Sequence, residues 1–129
     1  MSDLGMSKKL DCDYEEAIEK VKAALAPEGF GVLTEIDVKA TLKKKLDKDF
    51  RRYIILGACN PQYAYKALSK ELNIGVFMPC NVIVYENDGG GSTVTAVDPT
   101  VSIGSVGDAD ICEVAGEVRK LLKSIVEGL

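Results

Sequence analysis

Residues 80–98 read CNVIVYENDGGGSTVTAVD, and this stretch decides the fold class of the chain. Its first seven residues are rich in β-branched and aromatic side chains, which is typical of a strand. The Asp-Gly step and the glycines that follow favour a tight hairpin turn over residues 87–91. Residues 92–98 then predict the returning strand. Because a hairpin pairs its strands antiparallel, the sequence indicates an antiparallel sheet.

Working outward, the same criteria predict further strands and four helices. Strands are expected at residues 4–10, 30–36 and 53–58, and an extended segment at 76–86. Helix starts are predicted at four polar capping positions: Asp13 with Glu16, Asp37, Asn60 before Pro61, and Asp110 with Glu113. We therefore expect one α+β domain, residues 1–129, in which helices cover one face of the antiparallel sheet.

Two finer expectations concern which side chains share one face of a strand or of a helix. Alternation along the second strand places Phe30, Val32, Thr34 and Ile36 on one face. The third helix is expected to carry an apolar stripe that extends as far as Leu72.

Composition excludes several classes of function. The chain has 129 residues and a formal net charge of −4, which argues against the clustered positive charge that nucleic-acid binding requires. No apolar run is long enough to cross a bilayer, and the first ten residues lack the apolar core of a secretory signal. We expect a cytoplasmic protein that binds neither nucleic acid nor membrane.

The sequence contains no histidine and four cysteines. The absence of histidine excludes Ser-His-Asp and Cys-His catalysis and His-ligated zinc. The cysteines lie at positions 12, 59, 80 and 112 and form no Cys-x-x-Cys pair. Without an export signal, free thiols are expected in place of a disulfide framework.

Four segments together resemble the domain-of-unknown-function 302 family of bacteria and archaea. They are residues 28–37 (EGFGVLTEID), 56–61 (LGACNP), 78–85 (MPCNVIVY) and 96–99 (AVDP). The resemblance runs from about Lys8 to the C-terminus. It implies a compact α+β domain with a TATA-binding-protein-like topology, often paired as a homodimer. It implies no activity, no cofactor and no reaction, because the family is functionally uncharacterised.

The candidate site is a pair of dipeptides, Cys59-Asn60 and Cys80-Asn81, each beside a proline at the boundary of a predicted element. Cys59 precedes a predicted helix N-terminus, where backbone N–H groups would lower the pKa of a thiol. If Cys80 begins the neighbouring strand, both sulfurs lie at one sheet edge. The pair could then be two soft metal ligands or a redox couple, whereas the structural alternative is two small buried side chains beside turns.

Other polar groups have simpler explanations. The glycines of residues 89–91 lack the lysine of a phosphate-binding loop and connect two strands. The lysines at 43–45 suit the end of a helix, although they could attract an anion. Three carboxylates near strand ends would act together only if they converge: Glu35, Asp37 and Asp98. Four tyrosines are expected in a pocket, the core or a dimer interface: Tyr53, Tyr63, Tyr65 and Tyr85.

The sequence thus favours a module that binds a small ligand or a soft metal around Cys59, Asn60, Cys80 and Asn81, with Cys59 and Cys80 as the candidate metal ligands. One alternative is a thiol-dependent redox enzyme that uses the same two cysteines. The other is a pure dimerisation or interaction domain, which an exposed apolar patch would favour.

Overall fold

The computed structural model describes residues 4–129. Its strands are β1 (Gly5–Leu10), β2 (Gly31–Asp37), β3 (Tyr53–Cys59), β4 (Cys80–Glu86) and β5 (Ser92–Val97). Its α-helices are α1 (Tyr14–Leu25), α2 (Val38–Leu46), α3 (Pro61–Lys70) and α4 (Ala109–Glu127). Short 3-10 helices occupy Ala26–Glu28, Leu72–Phe77 and Ile103–Val106. The strands form one antiparallel sheet in the order β1-β5-β4-β3-β2, which confirms the predicted fold class.

One face of the sheet, here called the inner face, carries the core. Cross-strand partners in an antiparallel sheet point to the same side, so the register assigns the residues of each face. The inner face includes Met6, Leu56, Val82, Val84, Val94 and Ala96, all of which are buried. The apolar stripes of α1 and α4 pack against this face, with Val21, Leu25, Val118 and Leu122 in the same core cluster. Burial of this face provides the main stabilisation of the fold.

The opposite face, here called the outer face, is divided by side-chain chemistry. A continuous row of paired residues crosses all five strands: Ile36, Ile55, Ile83, Thr95 and Ser7. In this row the residues on β2, β3 and β4, here called the apolar half of the outer face, are isoleucines. The residues on β5 and β1 are polar, and the hydroxyls of Ser7 and Thr95 lie 2.7 Å apart. Tyr53 and Tyr85 stack beside this row with ring centroids 5.5 Å apart.

The predicted single face of β2 is wrong, and a register shift explains the error. Val32 pairs with Ala58, whereas Thr34 pairs with Gly57, so Leu33 lies in an irregularity between them. An extra residue of this kind reverses the side-chain alternation beyond it. Val32 therefore packs against the core, while Thr34 and Ile36, after the shift, belong to the outer face.

Three predicted boundaries also differ from the structure. α4 begins two residues earlier than its predicted capping box, because Asp108 accepts hydrogen bonds from the backbone N–H groups of Asp110 and Ile111. The segment 76–86 is extended only from Met78 onward, since Val76 and Phe77 end a 3-10 helix. α3 stops at Lys70, and Leu72 is 84% exposed instead of joining its apolar stripe.

Within residues 4–129, no helix combines the length and the apolar character that a membrane crossing requires.

The core assignment predicts different costs for two leucine substitutions. Leu122→Ala removes a fully buried side chain from α4 and should lower the free energy of unfolding by about 2–5 kcal/mol. Leu72→Ala is the matched control and should change it by less than about 0.5 kcal/mol. Urea denaturation followed by circular dichroism measures both values. Equal costs for the two variants would contradict the assignment of the core.

Candidate functional site

The candidate site lies where β3 ends and β4 begins. Cys80 is the first residue of β4 and pairs with Ala58, and Cys59 is the next residue of β3. After Cys59 the chain turns and enters α3 at Pro61. The structure therefore brings together two thiols that are 21 positions apart in the sequence.

Both cysteines line one cavity of about 40 Å³ that opens to the surface. Its other walls are mostly apolar and include Phe30, Tyr63, Met78, Pro79 and Val114. Sites for drug-sized organic ligands measure about 300–1,000 Å³, and a cavity that binds benzene is on the order of 150 Å³. This cavity holds about one water molecule or one ion.

The electrostatics of the cavity keep both thiols protonated. Burial raises the pKa of Cys59. Burial also raises the pKa of Cys80, to about 11, and the charge of a neighbouring Cys59 thiolate adds to the effect. The expected lowering of the Cys59 pKa is therefore wrong: the loss of hydration outweighs the helix N-terminus of α3. Cys80 is the more deeply buried thiol of the pair.

Asn60 occupies the predicted capping position of α3, but its side chain does not cap the helix. Its amide Nδ2 donates instead to the backbone carbonyl of Glu28, at 3.2 Å. This bond ties the wall of the cavity to the turn that leads into β2. Asn60 contributes to the cavity lining, and its contact with Glu28 gives it a positioning role.

Gly57 lets Pro79 approach the sheet closely on its outer side. A Cβ at this position would stand 2.7 Å from Cγ of Pro79 and would also collide with the Thr34 hydroxyl. Only glycine fits without movement of these neighbours. This close approach fixes the position of Pro79, the residue immediately before Cys80, and so helps to hold the Cys80 thiol at the cavity.

The family of the chain follows from comparison with known proteins. The family model described as domain of unknown function DUF302 matches residues 6–129. The chain belongs to the DUF302 family. The crystal structure of an uncharacterized conserved DUF302 protein from Bacillus stearothermophilus is similar over 98% of each chain, with 31% sequence identity and a TM-score of 0.89. No curated protein matches the sequence.

The fourth candidate residue of this DUF302 domain lies apart from the cavity. Asn81 is exposed and pairs with Gly57, which assigns its side chain to the outer face. Strand alternation separates it from Cys80, its neighbour in the sequence. Sequence reasoning missed Met78 as a cavity residue, and it named Tyr63 only as one of four tyrosines for a pocket, the core or a dimer interface. The adjacency of Met78 to Pro79-Cys80 was a signal for the first, whereas nothing in the sequence marked Tyr63 among the four candidate tyrosines.

The carboxylates near strand ends have structural partners. Asp37 caps α2 by accepting from the Ala40 N–H, and Glu35 pairs with Lys22 at 3.2 Å. Burial opposes ionisation of Asp98, but hydrogen bonds from Thr100 and Arg119 outweigh it and lower its pKa. Among the residues that the structure describes, no three His, Cys, Asp or Glu side chains form a group able to hold a metal ion.

Several basic side chains after β2 also have partners. Lys43 pairs with Asp47 and Asp49. Arg51 contacts Asp88, and Arg52 contacts Glu86 at 2.9 Å. These pairs favour a solvated, internally balanced surface over an anion site.

The raised pKa of Cys80 predicts slow alkylation. At about pH 8, iodoacetamide should modify Cys80 in the folded protein at least about tenfold more slowly than in urea-unfolded protein, because the thiolate is the reactive form. The folded rate should continue to rise until about pH 11. Mass-spectrometric peptide mapping reads both rates, with the exposed Cys112 as an internal reference. A folded Cys80 that reacts at the unfolded rate would overturn this description of the cavity.

Proposed function

We propose that this DUF302 domain binds a single soft monovalent metal ion of the Cu(I) class between the sulfur atoms of Cys59 and Cys80. The observation that carries the proposal is the shared cavity, which is lined by two thiols and is of a size for one ion. Soft thiolate and thioether ligands favour Cu(I) over hard cations. The small volume argues against the alternative of an organic ligand.

A third sulfur supports the choice of metal. Met78 lines the same cavity two positions before Cys80, and we propose that its thioether completes a three-sulfur set. Zinc fits less well, because structural zinc takes four ligands and the cavity offers no carboxylate or imidazole among its lining residues. Metal binding must displace the thiol protons, so affinity should rise with pH.

The redox-enzyme alternative has less support. Catalytic and redox-active cysteines depend on a lowered thiol pKa, which increases the thiolate population at neutral pH. Burial raises the pKa of both thiols in this cavity. A metal ion can replace the protons of such thiols at equilibrium, whereas rapid nucleophilic turnover is disfavoured.

Anaerobic titration with Cu(I), in which the chelator bathocuproine competes with the protein for the ion, tests the metal proposal. We expect one Cu(I) per chain, a sulfur-to-metal absorption band in the ultraviolet, and loss of binding in Cys59→Ser and in Cys80→Ser. Met78→Leu should weaken binding by about tenfold without abolishing it.

Cys112→Ser is the matched control, because this exposed thiol lies outside the cavity and its loss should leave binding unchanged. Retention of Cu(I) by both cavity variants, or absence of binding to the reduced protein, would refute the proposal. Circular dichroism of each variant separates loss of a ligand from loss of the fold.

We also propose the homodimer that the family resemblance implies, and we assign it to the apolar half of the outer face. Ile36 is 48% exposed there, and Ile55 and Ile83 lie beside it in the same row. A face of this kind buries apolar surface when it meets its own copy across a two-fold axis.

Sedimentation velocity tests the dimer. The protein should sediment as a dimer, and Ile83→Lys should convert it to a folded monomer because a charge would enter the centre of the contact. Leu72→Lys places the same charge at an exposed leucine outside the outer face and should leave the dimer intact. A monomeric protein at high concentration would remove this proposal.

A further inference from the structure

We propose that Cys59 and Cys80 are also a reversible modification site: a low-molecular-weight disulfide oxidises them to an intramolecular disulfide bond that prevents metal binding. The first part rests on the geometry of β3 and β4 and on the cavity that both cysteines line. The second part rests on the proposed Cu(I) function, since it states how occupancy of the same site is regulated.

The register of the sheet sets the distance between the two backbones. Cys80 is directly opposite Ala58, and directly opposite Cα atoms in an antiparallel pair are about 5 Å apart. Cys59 is one position further along its strand, a step of about 3.4 Å. The diagonal gives a Cα separation of about 6 Å between the cysteines, which lies near the middle of the range that disulfides span.

Side-chain direction is the second requirement. In a regular strand Cys59 would point away from the face shared by Ala58 and Cys80. However, Cys59 lines the same cavity as Cys80, although it is the last paired residue of β3. Both are free thiols in the structure. Their shared cavity, rather than strand alternation, is the observation that places the two thiols near each other.

The chemistry balances as two thiol–disulfide exchanges. Cys59 is the less deeply buried thiol, so its sulfur attacks the small disulfide, forms a mixed disulfide and releases one thiol. The Cys80 sulfur then attacks Sγ of Cys59, which forms the Cys59–Cys80 bond and releases the second thiol. The two cysteine protons pass to the released thiols, the small disulfide is reduced, and the cysteine pair is oxidised by two electrons.

Oxidation and metal binding exclude each other because both use the same electron pairs on sulfur. Once the bond between Cys59 and Cys80 forms, neither sulfur is a thiolate, and only the thioether of Met78 remains among the sulfur atoms that line the cavity. We therefore expect oxidation to abolish Cu(I) binding and reduction to restore it.

The test uses the full chain with Cys12→Ala and Cys112→Ser, since neither thiol lines the cavity. Without metal, the protein is incubated with oxidised glutathione, quenched in acid and digested. Mass spectrometry should show loss of two hydrogen atoms and a linked Cys59–Cys80 peptide, which dithiothreitol reverses. Cu(I) is then titrated into the reduced and the oxidised protein.

Two further variants show whether the second step occurs. In the same background, Cys80→Ser should accumulate glutathione on Cys59 and give no linked peptide, and Cys59→Ser should give no linked peptide. A mixed disulfide that persists at Cys59 when Cys80 is present, or no reaction in the folded protein, would overturn the modification site.

The two proposals fail in different ways. If the linked peptide forms but the reduced protein binds no Cu(I), the proposed function and the regulatory part are refuted, while the modification site is supported. If the reduced protein binds Cu(I) and the oxidised protein binds it equally well, mutual exclusion is wrong. If Cu(I) binds and no linked peptide forms, the inference fails and the metal proposal is supported.

Discussion

The pairing of β3 with β4 is the constraint on which both the core and the candidate site depend. Its register places Leu56 opposite Val82 and Ile54 opposite Val84, so four buried side chains cover the centre of the inner face. The same register places Cys80 beside the end of β3. A shift by one residue would turn these apolar side chains toward the outer face. Burial of the core therefore also fixes where the two thiols meet.

Contacts at both ends of the central strands hold this register. At the end that carries the cavity, Gly57 allows Pro79 to lie against the sheet. At the opposite end, the guanidinium and backbone N–H of Arg52 both bind the carboxylate of Glu86. These hydrogen bonds from Arg52 lower the pKa of Glu86, so the carboxylate is charged and the contact persists at neutral pH.

Two kinds of cysteine chemistry, nucleophilic attack and metal binding, place different demands on a thiol, and the properties of the cavity bear on both. Its apolar walls raise the pKa of both thiols, and this reduces their reactivity as nucleophiles at neutral pH. The same small cavity is lined by three residues that carry sulfur: Cys59, Met78 and Cys80. These properties support the proposed equilibrium binding of a soft ion more than they support rapid turnover.

The amino-acid sequence determined the elements and the fold class, because period-two and helical patterns, capping residues and the glycine turn after β4 act locally. It also indicated that Cys59 and Cys80 would lie at one sheet edge on the condition that Cys80 begins the neighbouring strand. Tertiary structure decided what local patterns cannot encode. The irregularity at Leu33 reversed part of β2, and the long-range contact with Glu28 drew Asn60 away from its capping role. The raised thiol pKa values arise from burial, which the folded chain creates with cavity walls that include Phe30 and Val114, far from both cysteines in the sequence.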